Sequence, residues 1–282
     1  MIDFHCHSLF SDGTDTPEDL ARLGHEAGLD ALALTDHDTL DALPRFLGQQ
    51  PQVKTRLVPG IELSCRFMGR SLHVLGLFVD HEDPPFQKRL EGLRGRREDR
   101  NLHMVEKLQS MGLSITWKQV QAQAPTALVA RPHFAKALVA CGAASSTQEA
   151  FLRFVGDHAP GYVEREELEP EVAARWIWEA GGIPVVAHPG RFGRGFIWDE
   201  AMPVLRQAGM AGFEAFYGGY SLSEETYFND LAARLGMARS GGSDYHGANK
   251  PGLKLGVGRG NLKVPFELLA ELEIARDKGP IN

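Results

Sequence analysis

His5 and His7 stand two residues apart near the start of the chain, and Asp12 follows in the loop Ser11-Asp12-Gly13. Ile2, Phe4 and Cys6 alternate with Asp3, His5 and His7, a period-two pattern that predicts a strand. Residues two apart on a strand share a face, so both imidazoles look out from one side, as two ligands of one metal ion must. Other imidazoles and carboxylates end apolar runs farther along: His37 in Thr35-Asp36-His37-Asp38, Glu62 after Gly60-Ile61, His73 before Val74-Leu75-Gly76, His188 before Pro189-Gly190-Arg191, and Asp244 and His246 after Gly242-Ser243. One ion uses about three or four ligands. Nine such groups therefore suit two or three ions. The set mixes nitrogen and oxygen with no thiolate, which favours Mn, Zn or Fe over a structural zinc. His25, His81, His103 and His158 follow no strand pattern and read as ordinary hydrogen-bonded histidines; Cys6 reads as core.

The elements that must position these groups alternate. Thr16 as N-cap with Pro17 at the first position predicts a short helix ending at Gly28. A buried strand follows over 29–34, then a helix over 41–50 and strands over 56–64 and 71–79, joined by a tight turn around Phe67 to Arg70. After a change of character, helices over 171–180, 198–208, 223–235 and 266–278 alternate with strands over 183–191, 212–216 and 237–246. Right-handed βαβ units place the strand ends on one face of a parallel sheet, the face that carries the site in barrels. The reading is α/β: a barrel domain over 1–80 and 171–282, with a helical insertion subdomain over 81–170. Arg94, Arg96, Arg97 and Arg100 in that insertion read as a solvated helix face, with a phosphate-contacting lid as the alternative.

The 282 residues, with 43% hydrophobic and 24% charged content, fit one large soluble enzyme domain with an insertion. A net charge of -7 excludes a chain-wide basic surface, so no long duplex nucleic acid is expected. Cys6, Cys65 and Cys141 are widely spaced and odd in number, which favours buried free thiols in a reducing compartment. The strand pattern begins at once, without a basic apolar leader, and no run of about 18 apolar residues could span a membrane. A cytoplasmic protein is expected.

The six ordered motifs quoted above closely resemble the PHP (polymerase and histidinol phosphatase) domain family over nearly the whole chain. The resemblance implies a distorted (β/α)7 TIM-like barrel and a trinuclear metal centre used in phosphoester hydrolysis. Carried over by position, His5, His7, Glu62 and Asp244 would hold one ion. Glu62 would bridge to a second, completed by His73 and His188. Asp12, His37 and His246 would hold a third. Arg131-Pro132-His133-Phe134-Ala135 within a helical insertion, followed by Pro160-Gly161-Tyr162-Val163, is similar to a subgroup of nucleotide phosphoesterases (the RNase AM-like or TrpH-like proteins). These hydrolyse 3',5'-bisphosphorylated nucleotides such as pAp and short 5'-phosphorylated RNA in the 5'-to-3' direction.

That implies two to three divalent ions, Mn first, and attack on phosphorus by metal-activated hydroxide. Asp244 and His188 are the candidate catalytic residues; Arg131, His133 and Arg191 are the candidate substrate contacts, guanidinium matching phosphate bidentately. For Arg131 a surface salt bridge is an equal alternative. Asp36 or Asp38 could orient an imidazole, or Asp38 could cap a helix. Phe192, Phe216, Tyr217 and Tyr220 could stack a base, although core packing is the commoner fate of such rings. The competing functions are histidinol-phosphate phosphatase, a C–N bond amidohydrolase and a non-catalytic polymerase-associated domain. An amidohydrolase would want a bridging lysine at a strand end, where Glu62 stands instead.

Overall fold

The structure, a computed structural model, describes residues 1–124, 129–156, 158–164, 167–193 and 196–280. Two compact units emerge, residues 1–87 with 167–282, and residues 88–166. The first is a barrel. Its seven strands lie in sequence order: β1 (Ile2–Asp3), β2 (Ala31–Leu34), β3 (Arg56–Phe67), β4 (Arg70–Leu77), β5 (Ile183–Val186), β6 (Gly212–Tyr217) and β7 (Ala238–Gly242). Pairing is parallel except at β4, which runs antiparallel to both neighbours. All four residues of β2 and of β5, and all six of β6, are buried, as continuous apolar runs covered on both faces should be.

Helix α1 (Pro17–Glu26) starts where expected, with the Thr16 side chain accepting the Asp19 amide at 3.1 Å. Its Gly24 permits close approach to β2, since a Cβ there would come within 2.8 Å of the Leu32 side chain. Helix α2 is only Leu43–Leu47, with Pro44 in its first turn, and is followed by a 3-10 turn at Gln50–Gln52, so the helix expected over 41–50 is shorter than its pattern.

The first strand is also shorter than its alternation predicts. Regular pairing with β2 ends at Asp3; the Cys6 carbonyl still accepts the Thr35 amide at 3.0 Å, while residues 4–7 also bond to the other edge. There the Phe4 amide donates to Gly241 (3.0 Å), the Asp244 amide to His5 (2.8 Å) and the His7 amide to Tyr245 (2.9 Å). These three bonds nearly close the seven-strand barrel. They do so through the backbone of three candidate ligands.

The reversal at β4 comes from a two-residue loop, Met68-Gly69, with φ of 47° and 75°; such a loop matches the twist of an antiparallel hairpin. His73 therefore lies near the start of its strand, not its end, and still reaches the face where the parallel strands finish. Glu62 lies in the interior of a 12-residue strand whose second half projects past the barrel to pair with β4.

The remaining barrel helices are α7 (Pro170–Glu179), α8 (Trp198–Gln207), α9 (Leu222–Leu235) and α10 (Glu267–Lys278), within a residue or so of expectation. Helix α3 (Pro84–Ser110) enters the second unit, which also contains α4 (Trp117–Gln121), α5 (Arg131–Ala140) and α6 (Thr147–Ala150), the last continued by a π-helical turn at Phe151–Val155. That unit has its own core of Met104, Leu108, Phe134, Leu138 and Val155 among others. Arg97, on α3, is buried at 7% exposure, so it is not part of a solvated face. Among the described residues no helix is long and apolar enough to cross a membrane. Cys6 and Cys65 are buried and form no disulfide, as expected; Cys141 is exposed, following the last turn of α5.

Candidate metal centre

The nine residues come from scattered sequence positions and meet at one end of the barrel. Four overlapping groups have ligand atoms within 4.8 Å of one another: His7, Asp12, His37 and His246; His5, His7 and Asp244; His5, Glu62 and His188; His37, Glu62 and His73. Glu62 is the hub. Its Oε2 lies 3.2 Å from His5 Nε2, 3.1 Å from His7 Nε2 and 3.2 Å from His37 Nδ1, and its Oε1 lies 2.9 Å from His73 Nδ1 and 3.1 Å from His188 Nε2. Asp244 Oδ1 faces His5, His7 and His246 at 3.4 to 3.6 Å. The groups open into a cavity of about 320 Å³, whose wall also includes Ser71, Leu72, Arg191, Phe192 and Lys250.

Hydrogen bonding alone does not account for this arrangement. Three ring nitrogens converge on one Glu62 oxygen, more than its two lone pairs can satisfy. The Nε2 atoms of His5 and His7 lie 3.1 Å from each other. His37 Nδ1 and Asp12 Oδ1 are buried and make no hydrogen bond. Buried polar atoms are normally paired, and a group of converging lone pairs is what a divalent cation requires. The residues present therefore fit bound divalent ions.

The electrostatics agree. Burial alone would raise the Glu62 carboxyl, yet His37, His5 and His73 hold it well below the usual carboxylate range. Asp244 is likewise depressed against its burial, by His5 and His7 among others, and Asp12 by His37 and His246. Burial pushes His37 down to about 3, and lowers His188 too. Burial works against charge on His5 as well, but Glu214, Glu62 and Asp244 raise it well above the usual imidazole value; His7 rises to about 9 through Asp244 and Glu62 despite its burial. A cation entering here must displace those protons, so its affinity increases with pH.

Outer contacts aim the ligands. Glu214, in the middle of β6 and fully buried, places Oε1 3.1 Å from His5 Nδ1, while its Oε2 accepts the His188 amide at 2.6 Å. This fixes the His5 tautomer with Nε2 toward the cluster. The His246 Nδ1 donates to the Asp244 carbonyl at 2.8 Å, which turns its Nε2 toward Asp12 at 3.2 Å. His188 and Asp244 have left-handed backbones, with φ of 30° and 55°, a strained conformation held by the Glu214 and His5 bonds to their amides.

Asp36 and Asp38 both bond serine groups. Asp36 accepts from the Ser8 amide (2.8 Å), Ser8 Oγ (2.6 Å) and Ser11 Oγ (2.5 Å), and Ser11 Oγ lies 3.4 Å from His7 Nδ1. Asp38 grips the Ser64 amide and hydroxyl in place of capping a helix; α2 begins at Leu43 without a side-chain cap.

Of the proposed substrate contacts, Arg191 lines the cavity, donates to Tyr217 Oη at 2.7 Å and stands 3.5 Å from Asp244 Oδ2. Tyr217 in turn donates to Asp244 Oδ2 at 2.7 Å, and Tyr220 Oη accepts the Gly190 amide. Both tyrosines are thereby buried and committed, as is Phe216 to the core, leaving Phe192 as the ring on the cavity wall. In the other unit, Arg131 packs its guanidinium over the Tyr162 ring at 5.4 Å. His133 is buried, with Nδ1 accepting the Ala130 amide at the start of α5.

Two residues of the site escaped the sequence reading. Glu214 had one available signal, a charge inside an otherwise apolar buried run. Lys250, whose Nζ lies 2.6 Å from Asp244 Oδ2, had none.

Comparison with known proteins adds chemistry to this geometry. Residues 3–125 match the family model of the PHP domain. The chain is 31% identical over 257 residues to a 3',5'-nucleoside bisphosphate phosphatase of Chromobacterium violaceum, covering 90% of each. It is 31% identical over 245 residues to a 5'-3' exoribonuclease of Haemophilus influenzae, covering 86% of this chain and 89% of the relative. A solved structure from Bifidobacterium adolescentis, assigned as a metal-dependent phosphoesterase, superposes with a TM-score of 0.85 at 29% identity, covering 97% of this chain and 96% of the other.

Proposed function

The chain belongs to the PHP domain family, and from that premise we propose that this metal-dependent phosphoesterase hydrolyses nucleotide phosphoesters. Its substrates are 3',5'-bisphosphorylated nucleotides such as pAp, or short 5'-phosphorylated RNA taken from the 5' end. The observation that carries the reading is the pair of Glu62 oxygens ringed by five imidazoles at 2.9 to 3.2 Å, open to a cavity with cations on its wall. The activities named for the two relatives support the substrate class.

We assign His5, His7, Glu62 and Asp244 to one ion, Glu62, His73 and His188 to a second, and Asp12, His37 and His246 to a third, with manganese the first choice. Bound there, divalent cations neutralise the phosphoryl oxygens and lower the pKa of water enough to make a nucleophile at neutral pH. The chain's own groups do the rest. Asp244 keeps Oδ2 in hydrogen bonds outside the ligand cluster, where it can relay a proton through Tyr217 or toward solvent. Arg191, held by Tyr217, contributes a fork toward a phosphate in the cavity. Arg131 and His133 are proposed as further substrate contacts. A reducing, cytoplasmic setting accords with three cysteines that form no disulfide.

The test is direct. The Mn-loaded protein is assayed against pAp, a 5'-phosphorylated oligoribonucleotide and histidinol phosphate. Release of phosphate or mononucleotide from one of the first two, well above histidinol phosphate, is expected. Preference for histidinol phosphate would overturn the substrate assignment.

A further inference from the structure

Lys250 is assigned no role by the ligand motifs or by any relative's name, yet its ammonium occupies the cavity wall. It lies four residues past His246, in a loop tied to the first loop of the barrel. There the Ala248 amide donates to Thr14 Oγ1 at 2.9 Å and Asn249 Nδ2 to the Asp12 carbonyl at 2.7 Å. This anchoring brings Nζ to 2.6 Å from Asp244 Oδ2 with the side chain still 31% exposed.

Asp244 divides its two oxygens. Oδ1 is turned to the imidazoles, whereas Oδ2 takes Tyr217 and Lys250 and has Arg191 at 3.5 Å. Two positive charges thus face one carboxylate oxygen. Arg191 is already outcompeted, with its Nη1 directed to Tyr217 instead. With the carboxylates of Asp12, Glu62 and Asp244 committed to bound cations, an anion is the partner that fits these two positive charges on the cavity wall. Of the two cations, Arg191 is a planar fork held by Tyr217. Lys250 is a point charge on a flexible stem that can leave Oδ2 for a neighbouring oxygen without moving the backbone.

We propose that Lys250 is a substrate-binding residue that grips the phosphoryl group undergoing hydrolysis, alternating between Asp244 Oδ2 in the free enzyme and a phosphate oxygen in the complex. This rests on the phosphoesterase reading of the site. It adds a contact on the side of Asp244 that faces away from the ligand cluster.

The experiment compares metal-loaded wild type with Lys250→Met and Lys250→Arg. It measures the dissociation constant of inorganic phosphate by calorimetry, kcat and KM on the phosphorylated substrate, and metal content. Lys250→Met, which keeps the length and removes the charge, is expected to weaken phosphate binding and raise KM by about tenfold or more, with metal content unchanged. Lys250→Arg should recover most of the loss. Unchanged phosphate affinity in Lys250→Met, or a change in metal content alone, would show that Lys250 only balances Asp244 and would overturn the proposal. Because phosphate binding is measured without turnover, an inactive wild type would refute the phosphoesterase reading and still leave Lys250 tested.

Discussion

The barrel seam and the Asp12–His37 side of the site supply the same kinds of ligand and hold them differently. His5, His7 and Asp244 line the seam with side-chain exposures of 0%, 0% and 4%, whereas Asp12 and His37 are 22% and 18% exposed. On the seam, Glu214 grips His5, Ser11 stands behind His7, and Tyr217 with Lys250 holds Asp244. On the other side, Asp12 Oδ1 and His37 Nδ1 are buried without a hydrogen bond. Groups fixed before a cation arrives lose little freedom on binding it; groups that are not fixed must be ordered by the ion itself. The expectation is a graded centre, with tight seam positions and a weaker one at Asp12, His37 and His246.

Three experiments sharpen or break that contrast. The largest effect should come from Asp244→Asn. Turnover should fall by more than about 1000-fold, beyond the 10–100-fold usual for losing an outer partner, while circular dichroism and thermal midpoint stay native. A fully active variant would refute the ligand assignment. Glu214→Gln should come next, weakening the tightest metal equivalent about 10–100-fold in calorimetric titration. If only the weakest equivalent moved, the seam would not be the better-held side. The smallest effect belongs to Asp12→Asn: elemental analysis should show one metal equivalent lost per chain and the others retained, with activity down by about tenfold, or 1.4 kcal/mol. Simultaneous loss of all metal in Asp12→Asn would mean that the centre is cooperative and ungraded.

Much of this contrast is not visible in sequence. Polar groups at the ends of apolar runs announce where ligands leave a barrel, and six such motifs in order indicate the family. Local pattern reports burial but not direction, so the reversal of β4 and the projection of β3 past the barrel required the Met68-Gly69 hairpin to be seen. Nor does it report partners far along the chain. Asp36 and Asp38 lie beside His37, which suggests service to that ring, yet they bind Ser8, Ser11 and Ser64. Tyr217 and Tyr220 look available for stacking until their hydroxyls meet Asp244 and Gly190. Arg97 sits in a charge-rich helix, and only packing shows it buried.

The seam has a consequence for assembly. Asp3 accepts the Ser243 amide across 240 residues of sequence, and a Cβ on Gly242 would come within 2.4 Å of His5 Cβ. These segments stand near opposite ends of the chain, and so long a loop closes at an entropic cost and late in folding. An emerging chain therefore carries His5 and His7 through most of its synthesis without Asp244 or His246. The complete ligand set exists only once the barrel is shut, so the chemistry is switched on by closure of the fold itself.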